Sequence, residues 1–213
     1  NPGKESQLNP KRYLLPKMML MIFFFVGQNY KNKNFKEILE IKKLEAVNRP
    51  IEAANGLPNE CYTSENYFAY ERERIFCNKW TVIGVSSSVP NPGDAKPYNL
   101  LGIPLIIVRD ENMKIRVFHN VCSHRGFKLL DKACSLKNLI RCPYHSWSYD
   151  FEGNLIATPH IGGLNKHQSE KFDKTKSHLK EVKIKIWMDI IFVNINSNEI
   201  DFEDYIKPLE QRW

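Results

Sequence analysis

Two short motifs in the middle of the chain combine thiols with imidazoles at close spacing. They are Cys122-Ser-His124 and, seventeen residues further on, Cys142-Pro-Tyr-His145. Together they offer two thiolates and two imidazoles, a complete ligand set for one tetrahedral zinc ion or for a [2Fe–2S] cluster with two imidazoles on one iron. Gaps of one or two residues allow a tight loop to direct both side chains of a motif at one group. The predicted chemistry is therefore structural zinc binding or single-electron transfer.

The order of the ligands favours the iron–sulfur cluster. Zinc fingers usually pair Cys with Cys and His with His, as C-x₂₋₄-C followed by H-x₃₋₅-H. Here each motif contains one Cys and one His, and the single residue between Cys122 and His124 is a cramped spacing for zinc. A zinc-stabilised structural module is kept as the alternative.

The residues around both motifs strengthen the prediction of an iron–sulfur cluster. They read Cys122-Ser-His-Arg-Gly-Phe-Lys-Leu-Leu130 and Cys142-Pro-Tyr-His-Ser-Trp-Ser-Tyr-Asp150. The chain resembles the Rieske domain at the N-terminus of ring-hydroxylating oxygenase large (alpha) subunits, over roughly residues 57–195, and choline monooxygenase-like members are especially similar. That family has C-x-H-R-G-x-x-L and then C-P-Y-H-G-W-x-Y. Ser146 stands where the family has Gly, so we expect a slightly different turn there.

The resemblance implies a role for each motif residue. Cys122 and Cys142 would bind the buried iron of one Rieske [2Fe–2S] cluster. His124 and His145 would bind the exposed iron, and their edge would be the electron exit. The other residues expected beside the cluster are Arg125, Gly126, Tyr144 and Trp147. Gly126 also has a physical reason to be Gly, because a loop wrapped around a cluster needs a positive φ.

The resemblance also implies partners. In the family, a ferredoxin or flavin reductase supplies single electrons, and the cluster passes them to a mononuclear non-haem Fe(II) in a neighbouring subunit of a trimer. That iron is held by two His and one carboxylate. No remaining pair of histidines has the family's spacing, so we expect the Fe(II) only in a catalytic domain of the same or a neighbouring subunit that this sequence lacks. The chain is expected to be a fragment, or a product that has lost its catalytic half, which is reducible but inactive as an oxygenase.

Two matters stay open at this point. A free-standing Rieske ferredoxin would also fit the motifs, and both aromatic and quaternary ammonium substrates fit the resemblance equally well.

The same residues bear on the reduction potential. Rieske proteins of high potential carry an extra Cys in each loop, joined as a disulfide, and the resemblance places Phe127 and Tyr144 at those positions. Trp147 stands where those proteins offer a Ser hydroxyl to the cluster. Fewer hydrogen bonds to sulfur lower the potential. We therefore expect a potential at the low end of the Rieske range, with Tyr149 as one possible hydroxyl donor.

The remaining Cys and His residues have no ligand spacing. Three cysteines are left over, which argues against a secreted disulfide scaffold; they are Cys61, Cys77 and Cys134. We expect the other histidines to be structural or on the surface; they are His119, His160, His167 and His178.

Charge is concentrated at the start of the chain. Residues 1–50 contain ten Lys and Arg against four Asp and Glu, whereas the remainder contains twenty-one against twenty. A basic groove for nucleic acid is therefore not expected. The apolar run 18–26 has nine residues, too few for the roughly twenty of a membrane span, and no small-x-small cleavage site follows it. We expect a cytoplasmic protein.

Residues 166–185 contain seven Lys and three acidic residues. This segment is either a solvated loop or a surface that steers an acidic ferredoxin.

The elements around the motifs are predicted to be mainly β. Apolar residues recur at helical spacing over 35–47, and Thr63 or Ser64 is predicted to cap a second helix that ends near Cys77. The predicted strands are 81–86, 96–100, 104–109, 114–119, 139–142, 147–150, 155–158, 182–186 and 190–193. These predict an antiparallel Rieske β-sandwich with a two-loop cluster-binding subdomain, preceded by short N-terminal helices. The predicted divisions are a basic and apolar leader at 1–30, a helical entry segment at 31–80, the Rieske domain at 81–196 and the start of a link at 197–213.

Overall fold

The computed structural model describes residues 43, 45–197 and 201–212. Within them the chain forms ten strands and three α-helices with fully described bounds. The helices are α1 (Glu60–Thr63), α2 (Glu65–Glu71) and α3 (Phe202–Glu210). The strands are β1 (Thr81–Val85), β2 (Asp94–Leu100), β3 (Ile103–Arg109), β4 (Ile115–His119), β5 (Cys134–Ser135), β6 (Ile140–Arg141), β7 (Ser148–Tyr149), β8 (Leu155–Ala157), β9 (Lys183–Trp187) and β10 (Ile190–Asn194).

The strands form three antiparallel sheets. Their orders are β1-β10-β9, β4-β3-β2-β5 and β6-β7-β8. The predicted fold class, an antiparallel β architecture preceded by short helices, is confirmed. Each predicted strand is present with its ends shifted by at most two residues, and the two-residue strand β5 was not predicted.

The middle sheet packs on both faces. In β3, Ile106 and Val108 belong to the core beneath the two motifs, whereas Leu105 and Ile107 face the core shared with β1 and β10. This is why β3 is apolar at successive positions, since alternate residues of a strand point to opposite faces and both faces are covered. The sheet β6-β7-β8 lies against the first of these cores through Ile140, Tyr149 and Leu155.

The entry segment agrees with its prediction in part. Ser64 caps α2, because its hydroxyl accepts a hydrogen bond from the Tyr67 amide at 3.2 Å. The helix does not continue in α form to Cys77: it changes at Arg72 to a π-helical turn, in which the Cys77 amide donates to the Arg72 carbonyl. Most of the predicted helix over 35–47 lies outside the described residues, as does the whole apolar run 18–26.

The segment after β10 forms a helix that packs on the sheet. In α3, Phe202 and Ile206 are buried, and the Phe202 ring contacts Trp80 and Phe192 with centroid separations of 5.2 and 5.1 Å. Among the described residues, no helix combines the length and apolar character needed to cross a bilayer.

Candidate metal centre

The two motifs lie in two loops with the same backbone hydrogen bonds. In each loop the Cys amide donates to the carbonyl five residues later, and the Cys carbonyl accepts from the amide four residues later. For the loop after β4 these bonds are Cys122 to Phe127 at 2.8 Å and Gly126 to Cys122 at 2.9 Å. For the loop between β6 and β7 they are Cys142 to Trp147 at 2.8 Å and Ser146 to Cys142 at 3.0 Å. One backbone template therefore presents both half-sites.

The fifth position of each loop has a left-handed backbone. Gly126 has φ of 70° and Ser146 has φ of 58°. The positive φ expected at Gly126 is confirmed. The expected difference from the family's turn at Ser146 stays a prediction; within this chain, Ser146 adopts the same left-handed conformation and makes the same hydrogen bond as Gly126. A side chain with a Cβ is strained in this conformation, whereas Gly is not.

The loops separate the four candidate ligands by depth. Cys122 and Cys142 are almost fully buried, with 1% and 2% of their surface exposed. His124 and His145 are partly exposed, and their ring centroids are 4.9 Å apart. Burial raises the pKa of the Cys122 thiol, and burial, followed by the nearby His145 and Arg125, lowers the pKa of His124. The arrangement is a deep thiol pair beneath an outer imidazole pair.

This donor set suits a cluster with two ligands on each iron. In a Rieske centre, two Cys hold one iron and two His hold the other. The Nδ1 atom of His145 is buried and has no hydrogen-bond partner among the described residues. An unpaired buried polar atom costs about 1–3 kcal/mol, and a bond to iron would remove that cost. In the described part of the chain, no three His, Cys, Asp or Glu side chains converge closely enough to hold one metal ion.

Aromatic rings pack against both imidazoles. Trp147 is buried and stacks on His124 with centroids 4.5 Å apart and planes 12° apart, while Tyr144 contacts His145 at 3.7 Å. The rings of Phe127 and Tyr144 meet across the two loops at 5.3 Å. The positions that the resemblance equates with a disulfide are thus occupied by an exposed aromatic contact. Arg125 is exposed on the same loop as His124.

Tyr149 supplies the hydroxyl that its position suggested. Its oxygen lies 3.2 Å from Cys122 Sγ, and it also accepts a hydrogen bond from the Ser123 amide at 3.1 Å. The pKa of Tyr149 is raised, first by burial and then by its contact with Cys122. The Ser123 hydroxyl lies 2.8 Å from the Tyr149 oxygen and donates to the Ser177 carbonyl at 2.6 Å. The roles of Ser123 and Ser177 could not be predicted from the sequence, because Ser123 binds residues that lie 26 and 54 positions away along the chain.

Asn120 is a second residue that the sequence did not reveal. Its buried side chain accepts from the amides of Leu129 and Leu130, at 3.1 and 2.9 Å, and donates to the Leu130 carbonyl at 2.7 Å. These three bonds join the start of the first loop to its end. They fix the width of the loop that carries Cys122 and His124.

The other histidines make hydrogen bonds within the fold. The Nδ1 atoms of His178, His160 and His167 accept from backbone amides of Leu155, Asn165 and His160 respectively. His119 is buried at the end of β4, and burial, with a further contribution from Lys180, lowers its pKa to about 4. These contacts support the structural roles expected for all four.

Comparison with known proteins identifies a domain of matching chemistry. The family model of the Rieske [2Fe–2S] domain matches residues 79–168. The carnitine monooxygenase oxygenase subunit of Escherichia coli (strain K12) is 32% identical over 153 residues, covering 72% of this chain and 40% of that protein. The benzene 1,2-dioxygenase subunit alpha of Pseudomonas putida is 30% identical over 158 residues, covering 73% of this chain and 34% of that protein.

Solved structures agree with these relatives. The apo form of a quaternary ammonium Rieske monooxygenase superposes with a TM-score of 0.66 at 31% identity, covering 75% of this chain and 45% of that chain. Naphthalene 1,2-dioxygenase from Rhodococcus sp. superposes with a TM-score of 0.69 at 26% identity, covering 80% of this chain and 37% of that chain. The present chain thus spans 34–45% of the length of these proteins.

Proposed function

Since this chain contains a Rieske domain of the kind found in Rieske oxygenase alpha subunits, we propose that residues 81–196 form its electron-transfer domain. Cys122 and Cys142 hold the inner iron of one [2Fe–2S] cluster, and His124 and His145 hold the outer iron. The observation that carries this assignment is the deep thiol pair beneath an outer imidazole pair, with His145 Nδ1 buried and unpaired. The bound cluster would supply reversible one-electron chemistry.

The residues around the cluster position it and define its exit. Trp147 and Tyr144 fix the planes of His124 and His145 by direct ring contact. The imidazoles are partly exposed whereas the thiols are buried, so an electron leaves most easily through the imidazole edge. Arg125 and Gly126 belong to the same loop as His124 and also lie beside the cluster.

The electrons come from a ferredoxin or a flavin reductase and pass to a mononuclear Fe(II) in a catalytic domain of the same or a neighbouring subunit of a trimer. One similar solved structure is described as giving insight into inter-subunit electron transfer, which supports this route. The relatives' names include carnitine, choline and benzene oxygenases, so the proposal covers electron delivery and leaves the substrate class unassigned. We place the protein in the cytoplasm.

The charge of the segment that carries the four ligands favours an acidic donor. Residues 122–146 contain five basic residues and one acidic residue. All five are exposed; they are Arg125, Lys128, Lys132, Lys137 and Arg141. The single carboxylate, Asp131, lies 2.9 Å from Lys128 Nζ.

Donor docking is tested by charge reversal. Lys132→Glu with Lys137→Glu should slow reduction by an acidic ferredoxin and weaken the dependence of the rate on salt. Lys166→Glu with Lys171→Glu is the matched control in segment 166–185. A larger effect in the control pair would move the docking surface to that segment.

The cluster itself is tested by spectroscopy. Iron and acid-labile sulfide should each be present at about two per chain, in keeping with a [2Fe–2S] centre, and the reduced protein should give an EPR signal with coupling to two imidazole nitrogens. His145→Ala should abolish that signal, whereas His167→Ala, which removes an exposed histidine of the same fold, should retain it. A colourless protein with one zinc per chain would contradict the proposal.

A further inference from the structure

The hydroxyl of Tyr149 has two possible acceptors for its single proton. Its oxygen lies 3.2 Å from Cys122 Sγ and 2.8 Å from Ser123 Oγ. The Tyr149 side chain is fully buried, so water does not offer a third partner. The Ser123 amide already donates to the same oxygen at 3.1 Å. The phenol proton must therefore point either at the sulfur or at the serine oxygen.

The direction of the Ser123 hydroxyl follows from its other partner. A hydroxyl has one proton to donate, and the Ser177 carbonyl, 2.6 Å away, can only accept. Ser123 therefore donates to Ser177 and presents a lone pair to Tyr149. The separation of 2.8 Å is the usual length of an O–H···O hydrogen bond. Ser123 thus competes with the Cys122 sulfur for the Tyr149 proton.

We propose that Ser123 is a positioning residue that draws the Tyr149 proton away from the Cys122 thiolate and so lowers the reduction potential of the cluster. The inference rests on the proposed function, because it requires an iron–sulfur cluster on Cys122. Hydrogen bonds to cluster sulfur raise the reduction potential. A Tyr149 proton that is shared between Ser123 and Cys122 therefore gives a lower potential than one donated to Cys122 alone. The Ser177 carbonyl is part of the device, since it keeps Ser123 in the role of acceptor.

The hydrogen bond to Ser177 connects Ser123, and through it the cluster loop, to the short helix that contains Ser177. Ser177 ends the short 3₁₀ helix Lys174–Ser177, and the neighbouring His178 accepts from the Leu155 amide. If this helix moved away, Ser123 would lose its acceptor and could donate to Tyr149 instead. The Tyr149 proton would then be free to bond to Cys122, and the potential would rise.

Four proteins test the proposal: the wild type, Ser123→Ala, Tyr149→Phe and the double variant. Midpoint potentials are measured by spectroelectrochemistry, with EPR to verify the cluster in each protein. Ser123→Ala should raise the potential, Tyr149→Phe should lower it, and the double variant should match Tyr149→Phe, because Ser123 acts only through the phenol proton. Ser123→Thr keeps a hydroxyl and should stay near the wild type.

The outcomes separate the proposal from a purely structural role. A serine that merely ties the loop to Ser177 would, when removed, reduce stability without raising the potential. An unchanged or lowered potential in Ser123→Ala, or a rise that persists in the Tyr149→Phe background, would overturn the inference. If Ser123→Ala does not hold the cluster, Ser123→Gly removes the same hydroxyl, and failure of both while Tyr149→Phe holds it also counts against the inference. A wild-type protein without a Rieske signal would instead refute the proposed function.

Discussion

Replacing Ser146 by Gly should stabilise the protein, and replacing Gly126 by Ser should destabilise it by a similar amount. Both residues have a left-handed backbone and close the same hydrogen bond in their loops. An L-residue in this conformation costs about 1–2 kcal/mol, and a Gly loses about 0.5–1 kcal/mol more conformational entropy on folding than Ala. The difference leaves a net change of about 1 kcal/mol for each substitution.

The surroundings of Gly126 and Ser146 allow the effect of backbone strain to be measured without side-chain clashes. A Cβ built on Gly126 meets no atom within 4 Å, so its cost comes from the backbone and not from a clash. Ser146 is exposed, and its hydroxyl makes no hydrogen bond with another described residue. The change of about 1 kcal/mol corresponds to a factor of about five in the folding equilibrium.

Urea unfolding followed by tryptophan fluorescence is the assay, with the cluster loaded and at equal protein concentration. Ser146→Gly should raise the midpoint concentration and Gly126→Ser should lower it, with the slope m unchanged in both. Ser146→Ala keeps the Cβ and removes the hydroxyl, and it should stay within about 0.5 kcal/mol of the wild type. A neutral or destabilising Ser146→Gly would show that this loop bears no backbone strain, and the reasoning would be refuted.

Three further predictions concern the surroundings of the loops. Gly153→Ala should destabilise the protein by about 3 kcal/mol in urea unfolding, because the new Cβ would lie 2.5 Å from the buried Phe118 ring at a residue with φ of 88°. Asn120→Ala should cost about 3 kcal/mol through three lost hydrogen bonds and should reduce iron retention. Asn120→Asp should not restore the stability, because it keeps the acceptor but sets a buried carboxylate oxygen against the Leu130 carbonyl, which binds only a donor. For His119, the pKa of about 4 in the folded protein lies below the ordinary value of 6.5. As the pH decreases from about 6.5 towards 4, the unfolded chain therefore binds the proton before the folded protein does, and the free energy of unfolding falls. The loss is about 2 kcal/mol at pH 5. Comparison of unfolding at pH 7.5 and pH 5 with that of His119→Gln isolates this contribution, and an equal pH dependence in the variant would contradict it.

The short strands and the ligand motifs could be predicted because their signals are local. Alternation and β-branched runs mark the strands, and each Cys lies within three residues of its His. Thr63 or Ser64 was predicted as a cap, and the structure shows Ser64, whose partner Tyr67 is only three residues away. The positive φ of Gly126 was predicted for the same reason, because the loop that requires it is only five residues long.

The residues that position the motifs could not be predicted, because their partners are distant. Asn120 binds residues nine and ten positions away, and Ser123 binds Tyr149 and Ser177. The helix α3 had a usable signal, since Asp201 caps it and Phe202 and Ile206 are spaced for one face. Pro208 near its end weakened that signal, because proline is unfavourable inside a helix.

The contacts that join the two loops are weaker than a disulfide. The folded arrangement of the loops should therefore depend on the bound cluster. Phe127 meets Tyr144, and Trp147 of the second loop stacks on His124 of the first. Aromatic pairs contribute about 0.5–1.5 kcal/mol each beyond their buried area, whereas a disulfide contributes about 2–4 kcal/mol. Asn120 and the sheet strands hold the bases of the loops, but on the proposed assignment the tips are joined most strongly by four bonds to iron. Because binding energy of this kind is also folding energy, the order of both loop tips should depend on the bound cluster.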